Sequence, residues 1–219
     1  MTFAPLRPYG RSRVWAPTAA EAAAFDHHAI ERQEVPQAAL MECAGRSAAE
    51  ILVTLFPQGE VVALIGAGNN GGDGLVMLRT LKAWGRPVRA VLVADRDSRL
   101  EAENGGSEGG APFEQEALLR GWRIPFTTDD GLEPDAGELD SVLRGASVIV
   151  DGILGTGIRG APRDRQAQAI RAINRSERPV FSLDTPSGVN GNTGQIAGEA
   201  VDAEVTVAFG WPKLGTLLQ

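Results

Sequence analysis

The chain has 219 residues, 43% of them hydrophobic and 22% charged, and a formal net charge of −7. This composition is ordinary for a globular protein with a buried core, and an acidic chain without Lys or Arg runs disfavours nucleic acid and anionic membranes as partners. No apolar run approaches the roughly 20 residues that span a bilayer, and the single cysteine, Cys43, excludes an intramolecular disulfide framework and fits a reducing compartment. We therefore expect a cytoplasmic protein.

Helical and strand patterns alternate along most of the chain. Thr18 and Glu21 have capping-box spacing, which predicts a helix over residues 19–32, and Pro36 can occupy the first turn of a second helix. The predicted strands that follow are VVALI (61–65), VRAVLVAD (88–95), WRIPF (122–126), ASVIVDGIL (146–154), RPVFSLD (178–184) and AEVTVAFG (203–210). The predicted helices between them are GLVMLRTLKAW (74–84), FEQEALLRG (113–121), ELDSVLRG (138–145) and RDRQAQAIRAIN (163–174).

This alternation predicts an α/β fold: a three-layer α/β/α sandwich with a Rossmann-like, mostly parallel sheet and helices on both faces. We expect one domain over residues 14–219, preceded by a flexible N-terminal extension at residues 1–13. Residues 97–112 are rich in Gly, Ser and Glu and predict a mobile surface loop.

The turn after the first strand has dinucleotide-binding spacing, with Gly66, Gly68 and Gly71 arranged as G-x-G-x-x-G. Asp95, at the end of the second strand, suits a ribose-binding acid, so an NAD-dependent oxidoreductase is one interpretation. Asp73 opposes it, since a phosphate nearby would meet a repulsion of about 1 kcal/mol even in water. A tight turn capped by Asp73 is the structural alternative, but it leaves the paired asparagines that follow Gly68 unexplained.

Polar residues follow three of the predicted strands. Residues 69–73 come after the first strand, Asp151 and a glycine-rich loop after the fourth, and Asp184 and Ser187 after the fifth. Because ligands bind at the carboxyl ends of the strands in an open α/β sheet, we expect these groups to share one edge.

The same segments carry a resemblance to a family. GAGNNGGDG, DGILGTGIRG and SLDTPSGVNGNTG resemble the three signature segments of the YjeF N-terminal domain family, the NAD(P)H-hydrate epimerases, which include AI-BP-like proteins. VWAPTAAEAAAFDHHAIE, ALMECAGR and VTVAFGWPKLG are also similar to family segments, so the resemblance extends from about Val14 onward. It implies an isomerase that interconverts the R and S forms of hydrated NADH and NADPH (NADHX and NADPHX) at C6 of the nicotinamide ring, in nicotinamide nucleotide repair. It also implies an ADP/ATP-dependent dehydratase as functional partner and a homodimer formed through the N-terminal helices.

The resemblance assigns roles by residue. Asp184 is the expected general acid/base, and Arg159 either assists the leaving oxygen or contacts phosphate. The substrate-binding residues implied are Asn69, Asn70, Gly71, Gly72, Asp73, Gly155, Thr156, Gly157, Ile158, Arg159, Gly160, Ala161 and Asp184. Asn70, Asp151 and Ser187 match positions that bind potassium, a hard cation that suits oxygen ligands. Potassium would also relieve the crowding of carboxylates at this edge.

Three alternatives stay open. Asp184 also reads as a turn-forming Asp before Thr-Pro. Some domains of this family act as non-catalytic nucleotide- or RNA-binding scaffold modules, although Asn70, Asp151 and Asp184 are all present here. The family usually continues beyond KLGTLLQ into a further strand, so that edge strand is missing here or the chain is truncated or divergent.

Cys43 stands where the family usually has Asn, and we predict that it packs within its helix.

Overall fold

The computed structural model describes residues 15–93, 112–128, 137–158 and 160–218, without side chains at 112–114. The predicted N-terminal extension and Asp95 lie outside these ranges. The predicted loop at 97–112 is described only at Pro112, which begins a helix.

Helices and strands alternate in the described ranges, as the sequence predicts. The strands are β1 (Val61–Gly66), β2 (Val88–Val93), β3 (Phe126–Thr128), β4 (Val148–Gly152), β5 (Val180–Leu183) and β6 (Val205–Val207). The α-helices are α1 (Ala19–Arg32), α2 (Gln37–Leu55), α3 (Asn69–Ala83), α4 (Pro112–Gly121), α5 (Glu138–Gly145) and α6 (Asp164–Arg175), and a 3-10 helix covers Leu214–Leu217. None of the helices in these ranges is long and apolar enough to cross a membrane.

The six strands form one parallel sheet in the order β3-β2-β1-β4-β5-β6. The chain winds outward from β1 in one direction and then, from β4, in the other. β1 and β4 are therefore neighbours whose following loops diverge to opposite sides, which opens a crevice at their carboxyl ends. This topology confirms the predicted Rossmann-like sheet and places the three polar loops at one edge.

Apolar cores cover both faces of the sheet. Val61, Ala63 and Ile65 of β1 join the core that contains α2, α3 and α4, whereas Val62 and Leu64 join the core under α5 and α6. Every residue of β1 is buried, as expected for a central parallel strand covered on both sides. The molecule is therefore the three-layer α/β/α sandwich that the alternation predicts.

The start of α3 differs from the prediction, which placed it at Gly74. The helix begins at Asn69, with Gly68 as N-cap and no side-chain cap, so Asp73 lies inside the helix and does not cap it. A Cβ on Gly71 would lie only 1.9 Å from the carbonyl oxygen of Gly66. The glycines let the first turn of α3 pack directly on β1, and that packing outweighs the poor helix propensity of glycine.

Two further predictions need correction. The strand predicted at 122–126 is shifted to β3, because Arg123 (φ 55°) and a hydrogen bond from Ile124 N–H to a carbonyl of α4 complete the end of that helix first. Cys43 is exposed and does not pack in the core, since the buried stripe of α2 passes through Gly45, Ala48, Ala49 and Leu52 on another face.

Candidate active site

The loops after β4 and β5 are joined through Asp151, which is fully buried. Its Oδ1 accepts hydrogen bonds from the Ser187 hydroxyl (2.5 Å) and the Ile153 N–H (3.2 Å). Its Oδ2 accepts from the Ser182 hydroxyl and the Ser187 N–H, both at 2.8 Å. Burial raises the pKa of the Asp151 carboxyl, and these four hydrogen bonds oppose the rise. No ion pair to Asp151 is found among the described residues.

Asn70, in the first turn of α3, connects to the same network. Its Nδ2 donates to the Leu154 carbonyl at 2.9 Å, and the Leu154 N–H donates to the Ser187 hydroxyl at 2.9 Å. The structure thus brings together Asn70, Asp151 and Ser187, the three residues predicted to hold a cation. Oδ1 of Asn70 and the Thr185 hydroxyl are buried and have no hydrogen-bond partner in the described part of the chain.

Carbonyl, hydroxyl and carboxylate oxygens of this kind fit a hard monovalent cation. Of the three residues predicted to hold the cation, Asn70 offers an unpartnered oxygen, Oδ1, while the carboxylate of Asp151 already accepts four hydrogen bonds, close to the capacity of its lone pairs. Asp151 would therefore contribute charge more than a free coordination position. The described residues include no group of three or more His, Cys, Asp or Glu side chains suited to a metal ion.

Asp184 follows β5 and has a left-handed backbone, with φ 62°. Its backbone N–H donates to the Val207 carbonyl of β6 at 2.8 Å, and Oδ1 accepts from the Phe209 N–H at 3.4 Å and from the ammonium of Lys213. Oδ2 has no hydrogen-bond donor among the described residues. It lies 3.8 Å from the position that a Cβ on Gly155 would occupy, so it faces the glycine-rich loop after β4. The two oxygens of this carboxylate therefore have different surroundings.

Lys213 is a site residue to which the sequence analysis assigned no role. Only 3% of it is exposed, and its Nζ contacts Oδ1 of Asp184 and the Phe209 carbonyl, the latter at 2.9 Å. The Pro-Lys turn in VTVAFGWPKLG was the available signal, because a lysine inside an otherwise apolar segment needs a partner when buried. Its partner is 29 residues away in sequence, where no periodicity could indicate it.

Asp73 belongs to a cluster of charged side chains at this edge, together with Asp26, Asp184 and Lys213. Desolvation raises the pKa of its carboxyl to about 7, and the nearby charges of Asp184 and Asp26 add to the rise, whereas Lys213 opposes it. Desolvation also raises the pKa of Asp26 on α1, which interacts with Lys213 and Asp184. Lys213 therefore relieves the crowding of Asp26, Asp73 and Asp184, a role that the sequence suggested for potassium.

Other members of the predicted substrate-binding set belong to the first turn of α3. Asn69 is exposed and its Oδ1 accepts from Gln37 Nε2 at 3.3 Å, whereas Gly71 is buried against Gly66. Gly72 approaches Met41 closely. Arg159 lies outside the described residues.

The other loop glycines differ in the space around them. A Cβ on Gly68 or Gly157 would meet no atom of the described residues within 4 Å, so there is open space on that side of the backbone. Gly160 is left-handed, with φ 82°. The Thr156 methyl, by contrast, lies 3.5 Å from a Cβ on Gly191, which packs this loop against the loop after β5.

Comparison with known proteins finds relatives that belong to one family. The family described as YjeF-related protein N-terminus matches residues 37–215. The chain is 35% identical to the NAD(P)H-hydrate epimerase of Rhodopirellula baltica over 192 residues, 87% of this chain and 72% of that protein. It is 33% identical to the NAD(P)H-hydrate epimerase of Limosilactobacillus fermentum over 199 residues, 90% and 86% of the two chains.

Longer relatives match over part of their length. The bifunctional NAD(P)H-hydrate repair enzyme Nnr of Thermofilum pendens is 37% identical over 197 residues, which are 89% of this chain and 35% of that protein. Among solved structures, yeast ynu0 superimposes with a TM-score of 0.76 at 23% identity, over 93% of this chain and 84% of that one. That likeness supports the fold.

Proposed function

The chain belongs to the YjeF-related protein N-terminus family, and we propose that it is an NAD(P)H-hydrate epimerase, an isomerase of nicotinamide nucleotide repair. Its substrates on this proposal are NADHX and NADPHX, which carry a hydroxyl at C6 of the reduced nicotinamide ring. The observation that carries the proposal is Oδ2 of Asp184, a carboxylate oxygen at the carboxyl edge of the sheet to which none of the described residues donates a hydrogen bond. The names of the relatives give the reaction class.

Asp184 acts as the acid/base. Inversion at C6 follows either of two routes: the hydroxyl leaves as water and gives an iminium, or the C6–N1 bond opens and gives an aldehyde. In the first, Oδ2 delivers a proton to the leaving hydroxyl and recovers it from the water that adds to the opposite face. In the second, Oδ2 takes the hydroxyl proton and passes it to N1 as the C6–N1 bond breaks, and closure on the other face reverses both transfers. Such catalysis contributes about 10²–10⁴-fold in rate.

The loops supply binding. The described residues leave open space beside Gly157 and Gly160, and Gly160 has a left-handed backbone. Glycine-rich turns of this kind suit an anion, and we assign the diphosphate to the loop after β4. Arg159 would add a positive charge there. The turn at Asn69 to Asp73 is then left for the nicotinamide end, where a raised pKa lets the Asp73 carboxyl keep a proton near neutral pH. This arrangement explains an acid in a turn whose spacing resembles a phosphate-binding one.

We also propose potassium at Asn70, Asp151 and Ser187. The support is the unpartnered Oδ1 of Asn70 beside a buried carboxylate with no ion pair among the described residues. The ion would supply positive charge at the end of the network and hold the first turn of α3 against the loop after β4.

Further parts of the proposal concern partners. An ADP/ATP-dependent dehydratase would consume the S form, which is consistent with relatives named bifunctional repair enzymes. A homodimer through the N-terminal helices is supported by α1, which has no buried residue, and by the exposed side chains of Trp15 and Phe25. The single cysteine is consistent with a cytoplasmic location.

A coupled assay tests the function. Purified R hydrate is given to an S-specific dehydratase with ATP, and NADH formation is followed with and without the protein. The proposal predicts that catalytic amounts of the protein accelerate consumption of the R form well above its spontaneous epimerisation. An unchanged rate with both NADHX and NADPHX would reject it, and reduction of added NAD⁺ by an alcohol substrate would favour the oxidoreductase alternative.

A further inference from the structure

The ammonium of Lys213 is tied to one oxygen of Asp184 and leaves the other exposed to the loop after β4. We propose that Lys213 is a positioning residue: it anchors Oδ1 of Asp184 so that Oδ2 alone faces the substrate. This inference rests on the proposed function of Asp184 as acid/base. It names the group that determines which oxygen of the Asp184 carboxylate faces the substrate.

The anchor has three contacts. Lys213 Nζ and the Phe209 N–H both donate to Oδ1, and Nζ also donates to the Phe209 carbonyl at 2.9 Å. One residue of the loop after β6 thus binds both members of the pair through its backbone. A carboxylate held through one oxygen by two donors has little freedom to rotate about its χ2 bond, so Oδ1 and Oδ2 do not exchange roles.

The backbone of Asp184 needs such an anchor. A non-glycine residue at φ 62° carries strain on the order of 1–3 kcal/mol and persists only where its surroundings fix it. The bond from Asp184 N–H to the Val207 carbonyl fixes the main chain, and Lys213 fixes the side chain. If Asp184 only formed a turn before Thr-Pro, it would need neither a buried lysine beside Oδ1 nor an Oδ2 without a hydrogen bond from the described residues.

The position of Lys213 is itself fixed by the residues that follow it. The Leu214 N–H donates to the Pro17 carbonyl at 3.0 Å, and the Gly215 N–H donates to the Gly191 carbonyl at 2.8 Å. A Cβ on Gly215 would lie 2.1 Å from the carbonyl oxygen of Asn190, so only glycine permits this approach. The lysine therefore lies in a turn that is bound both to Pro17, just before α1, and to the loop after β5.

Lys213 also sets the charge balance. Asp26, Asp73 and Asp184 all interact with this one ammonium. A buried ion pair is weak evidence for stability, because well-packed apolar residues often replace one without loss. A role in orienting Asp184 accounts for its presence better than a role in stability.

A double-mutant cycle tests the inference, with Lys213→Met, Lys213→Arg, Asp184→Asn and Asp184→Asn/Lys213→Met. We expect Lys213→Met to lower kcat about 10²-fold, the loss that follows a misplacement of about 1 Å, with KM changed less than about threefold. Lys213→Arg should recover part of the loss. In the Asp184→Asn background, Lys213→Met should cost nothing further, because Lys213 acts through that carboxylate.

Two results would overturn it: an equal loss of kcat from Lys213→Met in both backgrounds, or a wild-type kcat in Lys213→Met. A crystal structure of the Lys213→Met protein gives a readout independent of turnover. The inference expects the Asp184 side chain to rotate or occupy several conformers, and a single unchanged orientation would contradict it even if the wild-type protein proved to be no epimerase. If Lys213→Met fails to fold, the orientation of Asp184 in crystals of Lys213→Arg decides, since a retained cation should retain it.

Discussion

Ser187 binds Asp151 twice, through its hydroxyl to Oδ1 at 2.5 Å and through its backbone N–H to Oδ2 at 2.8 Å. These two bonds tie the loop after β5, which carries Asp184, to the end of β4. The carboxylate that the sequence analysis assigned to a cation thus also organises the protein itself. Its removal should affect the fold as well as the site.

Asp151→Asn should therefore destabilise the protein. The new amide keeps the shape but replaces one acceptor oxygen with a donor, which leaves buried donors from Ser182 or Ser187 unpaired. We expect a loss of about 2–4 kcal/mol in the free energy of unfolding, measured by urea denaturation. Asp202→Asn, at an exposed carboxylate, is the matched control and should stay within about 0.5 kcal/mol. A wild-type stability for Asp151→Asn would show that the carboxylate is not the link between the loops.

Potassium should stabilise the folded protein. A ligand present at ten times its Kd adds about 1.4 kcal/mol to the free energy of unfolding, so thermal unfolding in KCl should lie above that in choline chloride of equal ionic strength. Asn70→Ala should abolish the difference, since it removes the unpartnered oxygen. Asn174→Ala removes a similar amide bond, to the Ala200 carbonyl at 2.9 Å near the end of α6, and should retain the response. Equal unfolding temperatures in both salts would contradict the proposed ion.

Asp73 should make stability depend on pH. Because the folded protein raises the pKa of its carboxyl from 3.8 to about 7, the folded state holds a proton that the unfolded chain has lost. Its contribution to stability is complete below about pH 4, falls as the pH rises to about 7, and is constant above that.

Asp73→Asn removes this dependence, so the variant should gain stability over the wild type between pH 5 and pH 8. We expect a relative gain of at least about 1 kcal/mol, which corresponds to less than one pKa unit. Urea denaturation at the two pH values measures it, with Asp202→Asn as control. A gain that is equal at both pH values would mean that Asp73 does not titrate in this range.

The glycines of the first turn should differ sharply in tolerance. A Cβ on Gly71 would meet the Gly66 carbonyl oxygen at 1.9 Å, whereas one on Gly68 would meet none of the described residues within 4 Å. Gly71→Ala must displace α3 from β1 and should cost about 3 kcal/mol or more or prevent folding, while Gly68→Ala should stay within about 1 kcal/mol. Circular dichroism during urea denaturation compares the two. Similar losses would show that the close approach of α3 to β1 is not what requires glycine.

The fold was largely predictable because its signals are local. The capping box of Thr18 and Glu21 sets the first residue of α1, and the buried run of β1 has the apolar character of a central parallel strand. The start of α3 was not predictable from propensity, since five glycines between residues 66 and 74 favour a turn unless the contact with β1 is known.

The sequence predicted which loops form the site, but it did not predict the ion pair between Lys213 and Asp184. The strand ends indicated that Asn70, Asp151 and Ser187 would share an edge, and the structure brings them together through Leu154. The anchor on Asp184 depends on a lysine that reaches it only through tertiary structure, so no spacing rule could find it.

The most direct measurement is the turnover of Asp184→Asn in the coupled assay with the R hydrate. Asparagine tolerates the left-handed backbone and is nearly isosteric, and its Oδ1 can still accept from Lys213, so the variant should fold, but less stably because the buried ammonium loses its charge partner. Its side chain can no longer exchange a proton. The account predicts a kcat lowered by about 10²-fold or more with KM changed less than about threefold, and Asp202→Asn unaffected. A folded Asp184→Asn protein that turns over the hydrate at the wild-type rate would contradict it.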